Sequence, residues 1–214
     1  MVQTTADKEI EEQIEAYEAG LREKYGLAQK VEHFKKPVER PFTRKEREST
    51  TILWSGLTLA HEQLMTAAVE HLGYHVQPLP CPDNESLDAG KEYGNRGQCN
   101  PTYYTVGNLV KHLKSLRDQG VENIEDKYVF VTAGACGPCR FGMYEAEYRK
   151  ALKEAKFKDF RVLLWDQNGG LKQTTGQEGP GLELNAKFFL QMLKGMIAGD
   201  LINAAGFKIR PYEV

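Results

Sequence analysis

Short apolar runs alternate along this chain with longer stretches in which apolar side chains recur every three or four positions, and the alternation predicts strands and helices in turn. Ile10, Ile14, Tyr17, Leu21 and Tyr25 mark a first amphipathic helix over residues 7–25, a surface or subunit-contact helix with a solvated face. Thr51-Ile52-Leu53-Trp54 reads as a buried strand, followed by a helix over His61 to Leu72 with Leu64, Ala67, Ala68 and Leu72 on its apolar side. A second strand, Tyr74 to Leu79, runs into Pro80-Cys81-Pro82, where two residues without N–H groups stop pairing. Tyr103 to Leu116 carries one stripe of apolar residues, Tyr128 to Thr132 is β-branched and aromatic, and Met143 to Ala155 returns to helical spacing. A strand over Phe160 to Trp165 comes next. The helix predicted over Asn185 to Ala204 places Phe188, Phe189, Met192, Leu193, Met196, Ile197 and Leu201 against a core, and Phe207 to Tyr212 reads as a short last strand.

Strand, helix and strand in this order imply right-handed crossovers and parallel pairing, hence an α/β domain with helices flanking a parallel sheet. In such sheets ligands gather beyond the carboxyl ends of the strands. The pattern divides the chain into a helical extension over 1–36, a basic linker over 37–50 and the α/β domain over 51–214. Lys35, Lys36, Arg40, Arg44, Lys45 and Arg47, interrupted by Pro37 and Pro41, give the linker its exposed character. Asp166 to Gly181, rich in Gly, Gln and Thr without periodicity, reads as a functional loop. It does not match a phosphate-binding Gly-x-x-x-x-Gly-Lys-Ser/Thr loop.

Composition changes this picture little. The 214 residues are 41% apolar, enough for a sizeable core, and the formal net charge of −2 gives no reason to expect a nucleic-acid groove or an anionic membrane surface. No apolar run reaches membrane length and the first residues lack an export pattern, so a cytoplasmic protein is expected. Four cysteines, two of them spaced Cys-x-x-Cys, then point to metal or redox chemistry rather than a disulfide framework.

All four fall in loops that the topology places on one sheet edge. Cys81 follows the second strand, Cys99 precedes the helix that begins near Tyr103, and Cys136 and Cys139 lie between the strand over Tyr128 to Thr132 and the next helix. At helix starts the unpaired amides and the positive dipole end favour thiolate over thiol. Gly134 and Gly137 leave backbone N–H groups uncovered beside the Cys-x-x-Cys pair, suited to hydrogen-bonding a cofactor. Asn95 and Arg96 in one long loop, and Lys172 in the other, are candidates for contacting an anionic cofactor, substrate or partner. Three chemistries fit this set: an iron–sulfur cluster, a thioredoxin-type dithiol at Cys136-Gly137-Pro138-Cys139, and a structural zinc with four thiolates. His61, at the first turn of its helix, lies toward the same edge, whereas His71, His75 and His112 read as surface positions.

Two segments narrow the choice. Gly94-Asn95-Arg96-Gly97-Gln98-Cys99-Asn100-Pro101-Thr102 and Thr132-Ala133-Gly134-Ala135-Cys136-Gly137-Pro138-Cys139-Arg140-Phe141-Gly142-Met143-Tyr144 resemble the cluster-binding region of the acyl-CoA dehydratase activase-related proteins, a group related to 2-hydroxyacyl-CoA (2-hydroxyglutaryl-CoA) dehydratase subunits. The similarity runs from about Arg40 to Val214 and takes in Gly169-Gly170-Leu171-Lys172-Gln173. It implies a Rossmann-like half of a dehydratase-type fold. It also implies a [4Fe–4S] or double-cubane cluster held by Cys99, Cys136 and Cys139, with Cys81 outside the matching motifs. The implied partners are an ATP-hydrolysing, actin-like activator that supplies low-potential electrons, a second dehydratase-like subunit and an acyl-CoA substrate. Nothing in the chain resembles the activator's ATPase domains, so no ATP turnover of its own is expected. A stand-alone thiol-disulfide oxidoreductase using Cys136 and Cys139 is the alternative.

Overall fold

The computed structural model describes residues 5–26, 40–134, 140–166, 170–172 and 180–213. The chain divides into two units, Met1–Val38 and Glu39–Val214. The first carries α1 (Thr5–Lys24), the helix expected from its apolar stripe, on which Ile14, Tyr17 and Tyr25 stay exposed.

The second unit is a Rossmann-like α/β arrangement. Its strands are β1 (Thr51–Trp54), β2 (His75–Pro78), β3 (Tyr128–Gly134), β4 (Arg161–Asp166) and β5 (Gly170–Lys172), in the order β2-β1-β3-β4-β5. β1 to β4 are mutually parallel, and β5 pairs antiparallel with β4. The connections use α2 (Leu59–Glu70), α3 (Asn84–Tyr93), α4 (Asn100–Asp118), the single turn α5 (Ile124–Lys127) and α6 (Tyr144–Glu154), and α7 (Ala186–Ile209) follows the sheet.

Strand geometry explains the two-sided core. Successive side chains point to opposite faces, so Leu53 and Phe130 join Leu109, Leu113, Tyr148 and Leu152 on the side of α4 and α6. Their neighbours Ile52 and Val129 join Val69, Val76, Leu163 and Phe188 on the side of α2 and α7. Central parallel strands buried on both faces read as continuous apolar runs, which is what Thr51–Trp54 and Tyr128–Thr132 display.

Two expectations need correction, and one helix was not anticipated. Residues 40–50 are not a free linker: Phe42 is buried, and a 3-10 turn over Arg44–Glu48 brings Glu46 onto Arg161 at 3.0 Å. Arg161 is itself buried, against Phe42, and donates to the Pro41 and Asp126 carbonyls as well. Arg44 and Arg47 pair with Glu183, and Arg47 also donates to the Gly181 carbonyl at 2.9 Å. The basic run is thus a strap tied by ion pairs that range from the buried Arg161 to the exposed Arg40 and Arg44, because most of the carboxylates it needs stand far along the chain. The polar stretch before Gly94 contains a helix, α3, capped by Asp83, whose carboxylate accepts from the Ser86 N–H at 2.9 Å. Finally, Phe207 to Tyr212 is no strand. α7 runs on to Ile209 and ends in a 3-10 turn, and much of the face expected to meet a core is exposed.

The α3–α4 crossing is a backbone contact. A Cβ on Gly107 would lie 1.8 Å from the Ser86 carbonyl oxygen, and one on Gly90 would lie 2.0 Å from that of Tyr103. Buried Ser86 reaches Asn108 on α4, and Asn108 donates to the Pro80 carbonyl at 2.7 Å, so this crossing also holds the loop that follows β2. Among the described residues no helix is long and apolar enough to cross a membrane.

Candidate functional site

The strand order places a topological switch between β1 and β3. From β1 the chain crosses to β2 on one side, and after α3, α4 and α5 it returns on the other side of β1 as β3. At such a point the loops leaving the carboxyl ends diverge and open a crevice. Among the described residues, the loops that leave this edge are residues 55–58 after β1 and residues 79–83 after β2.

Residues 55–58 turn sharply, with Gly56 in the left-handed region at φ 102°, a conformation that favours glycine. Thr58 caps α2, and the buried carboxylate of Glu62 accepts the Gly56 and Leu57 N–H groups at 3.1 and 3.2 Å. Together with Pro80, Cys81, Pro82 and Thr105 these residues line a cleft of about 330 Å³. Cys81 is exposed there, flanked by prolines that offer no amide to its sulfur.

Cys99 is the N-cap residue of α4 and is exposed. Its Sγ lies 3.1 Å from the Thr102 hydroxyl and 3.5 Å from the Tyr144 hydroxyl. Hydrogen bonds from Thr102 and then Tyr144 lower the thiol from 9.0 to about 7, since both stabilise the thiolate more than the thiol. Tyr144 opens α6 five positions beyond Cys139. The contact therefore brings Cys99 to the start of the helix that follows the Cys-x-x-Cys segment.

The loop before Cys99 is held by a residue that sequence reasoning passed over. Buried Glu147 on α6 accepts the Asn95 N–H at 3.1 Å, the Asn95 side-chain amide at 2.7 Å and the Gln98 amide at 3.2 Å. The Tyr103 hydroxyl closes the loop by accepting from Gln98 N–H and donating to the Asn95 carbonyl, both at 3.1 Å. Gly97, at φ 77°, supplies the left-handed turn between them. The signal for Glu147 was present in the sequence: it is a carboxylate on the buried stripe of Tyr144, Tyr148 and Ala151, where an ion needs dedicated donors.

The expected site residues distribute as follows. Cys81 and Cys99 both stand beyond strand ends on the carboxyl edge, while Cys136, Gly137 and Cys139 lie outside the described residues. Gly134 ends β3 opposite Asp166, where a Cβ would press on the Leu164 side chain at 2.8 Å. The Asn95 amide is engaged by Glu147, and Arg96 is exposed in the same loop. Lys172 belongs to β5, paired with Leu164. Among the described residues no three His, Cys, Asp or Glu side chains group as metal ligands. His61 bonds Thr58 and Asp200 rather than the crevice, and His112 is half-buried, with burial pushing its imidazole below the ordinary value. The latter differs from the surface position expected for it.

No family model, curated protein or solved structure matches this chain.

A thiol near neutral pKa has a direct readout. At pH 7 Cys99 should alkylate roughly five- to tenfold faster than an unperturbed thiol, the larger thiolate fraction being offset in part by its lower nucleophilicity. Thr102→Val, which removes the first hydroxyl and keeps the shape, should shift the alkylation midpoint of Cys99 to higher pH. Peptide-level mass spectrometry of iodoacetamide-treated protein across pH 6 to about 9.5 checks both. An unmoved midpoint in Thr102→Val would remove the hydroxyl as its cause.

Proposed function

We propose that this chain is an iron–sulfur cluster-binding subunit, or a piece of one, in a 2-hydroxyacyl-CoA dehydratase or CoA-activase-type system. It would receive low-potential electrons from a separate ATP-hydrolysing activator. The observation that carries the reading is the activated Cys99 thiol at the start of α4, bonded to Tyr144 at the start of the helix that follows Cys136 and Cys139.

Of the three proposed ligands Cys99 is the one among the described residues, and its chemistry supports a thiolate-ligated cluster. The Cys99 thiol is lowered to about 7, which offers a metal a ready thiolate, and its exposure leaves room for one. Cys99, Cys136 and Cys139 would be the ligands, and the cluster would supply one-electron transfer at low potential. The chain's own part is positioning. Glu147 holds the loop that presents Cys99, the Thr102 and Tyr144 hydroxyls favour its thiolate, and the 330 Å³ cleft beside Cys81 offers space on the same edge for the acyl end of a thioester substrate.

Protein purified or reconstituted under strict anaerobiosis is expected to be brown, with broad visible absorption and stoichiometric iron and sulfide. Colourless protein with zinc, or with a Cys136–Cys139 pair that cycles against a dithiol reductant and no bound iron, would reject the cluster in favour of zinc or dithiol chemistry.

A further inference from the structure

α7 packs on α2 through small residues. Phe188, Gly195 and Gly199 are its buried positions, recurring at helical spacing on one side. A Cβ on Gly195 would stand 3.2 Å from the Leu64 carbonyl oxygen and 3.3 Å from the Met65 Cα, and one on Gly199 would stand 2.5 Å from the His61 ring. So close an approach fixes the rotation of α7 about its own axis. The opposite side cannot turn inward without driving larger residues into the α2 backbone.

That opposite side is apolar. Phe189, Leu190, Leu193, Met196, Ile197 and Leu201 are each between 46% and 67% exposed, and their spacing puts them on one broad stripe along the helix. Phe207 extends it toward the C-terminal end at 78% exposure. Taking roughly 150–250 Å² for each large side chain when fully exposed, the stripe presents on the order of 700 Å² of apolar surface. A monomeric protein typically leaves a largest patch of about 300–600 Å², whereas one partner of a stable interface contributes about 800 Å².

We propose that this face is the contact of a two-fold dimer of the chain, α7 against α7. Two copies would together bury an area within the range of a standard specific interface. A two-fold contact sets a patch against itself, which requires that it carry no charge that would meet its own like. By the same spacing Asp200 and Lys208 fall within the stripe; the Asp200 carboxylate is already held by His61 Nε2 at 3.1 Å in its own chain, and Lys208 stands beside Phe207 at the C-terminal end of the stripe. The inference is independent of the cluster reading, because it uses neither the cysteines nor the crevice.

Sedimentation equilibrium and light scattering of the full chain test it. The expected species has twice the 24.2 kDa chain mass, dissociating only on dilution. Leu193→Glu and Ile197→Glu, at exposed positions where the fold is untouched, should each weaken association by at least a hundredfold and leave the helical circular dichroism intact. Lys187→Glu, off the stripe, should leave the dimer unchanged. A wild-type monomer at all concentrations overturns the proposal, as does a dimer indifferent to both Glu variants. Monomeric protein that instead binds phosphatidylcholine–phosphatidylserine vesicles through the same residues also overturns it.

Discussion

Gly107→Ala is expected to lower stability by about 3 kcal/mol or more, a shift of roughly 6–12 °C in Tm for a unit of this size. The added methyl would sit 1.8 Å from the Ser86 carbonyl oxygen and 2.4 Å from the Gly90 nitrogen, both backbone atoms. No rotamer change relieves a backbone clash, so α3 must move off α4, and with it the Ser86–Asn108–Pro80 chain of hydrogen bonds that holds the loop after β2. Gly206→Ala provides the contrast. A Cβ there meets nothing within 4 Å, and alanine in a helix interior should be neutral or stabilise by up to about 1 kcal/mol. Thermal melts of the two variants beside the parent decide the point: equal melts would mean that α3 and α4 do not cross as closely as described.

The second large effect concerns iron. Cys99→Ser, Cys136→Ser and Cys139→Ser should each reduce iron per chain to near zero after anaerobic reconstitution, whereas Cys81→Ser should keep most of it. Serine is a preferred N-cap residue, so Cys99→Ser leaves the start of α4 intact and its loss of iron would report on ligation rather than on folding. Cys81, between Pro80 and Pro82, has neither neighbouring amides nor an activating hydroxyl comparable to Thr102. Loss of iron in Cys81→Ser with retention in Cys99→Ser would reverse the assignment of the site. Dependence on Cys136 and Cys139 alone would return the dithiol alternative.

Strands and most helices were legible because burial on a parallel sheet demands continuous apolar runs, and helices packed on it demand a stripe. Thr51–Trp54 is the same strand by either reading, and Cys99 was expected at a helix start. α3 was not legible. Its buried residues, Ser86 and Gly90, are small rather than apolar, because they sit on the Gly107 backbone instead of a hydrophobic groove. The strap over residues 40–50 was hidden for a different reason: basic residues beside prolines look the same whether water or distant carboxylates solvate them.

The periodicity of the chain by itself determined the α/β class, the parallel pairing and the carboxyl edge on which the Cys81 loop emerges, since each follows from local pattern and from the handedness of crossovers. Tertiary structure alone decided which side of α7 was buried. A helix that is apolar nearly all round carries no internal mark of its inner face, and two glycines pressed onto α2 made the choice. It also added the second of the two hydroxyls that activate Cys99. The nearer hydroxyl, Thr102, is three residues away in sequence, but Tyr144 is brought within 3.5 Å only when α4 and α6 pack on the same face of the sheet.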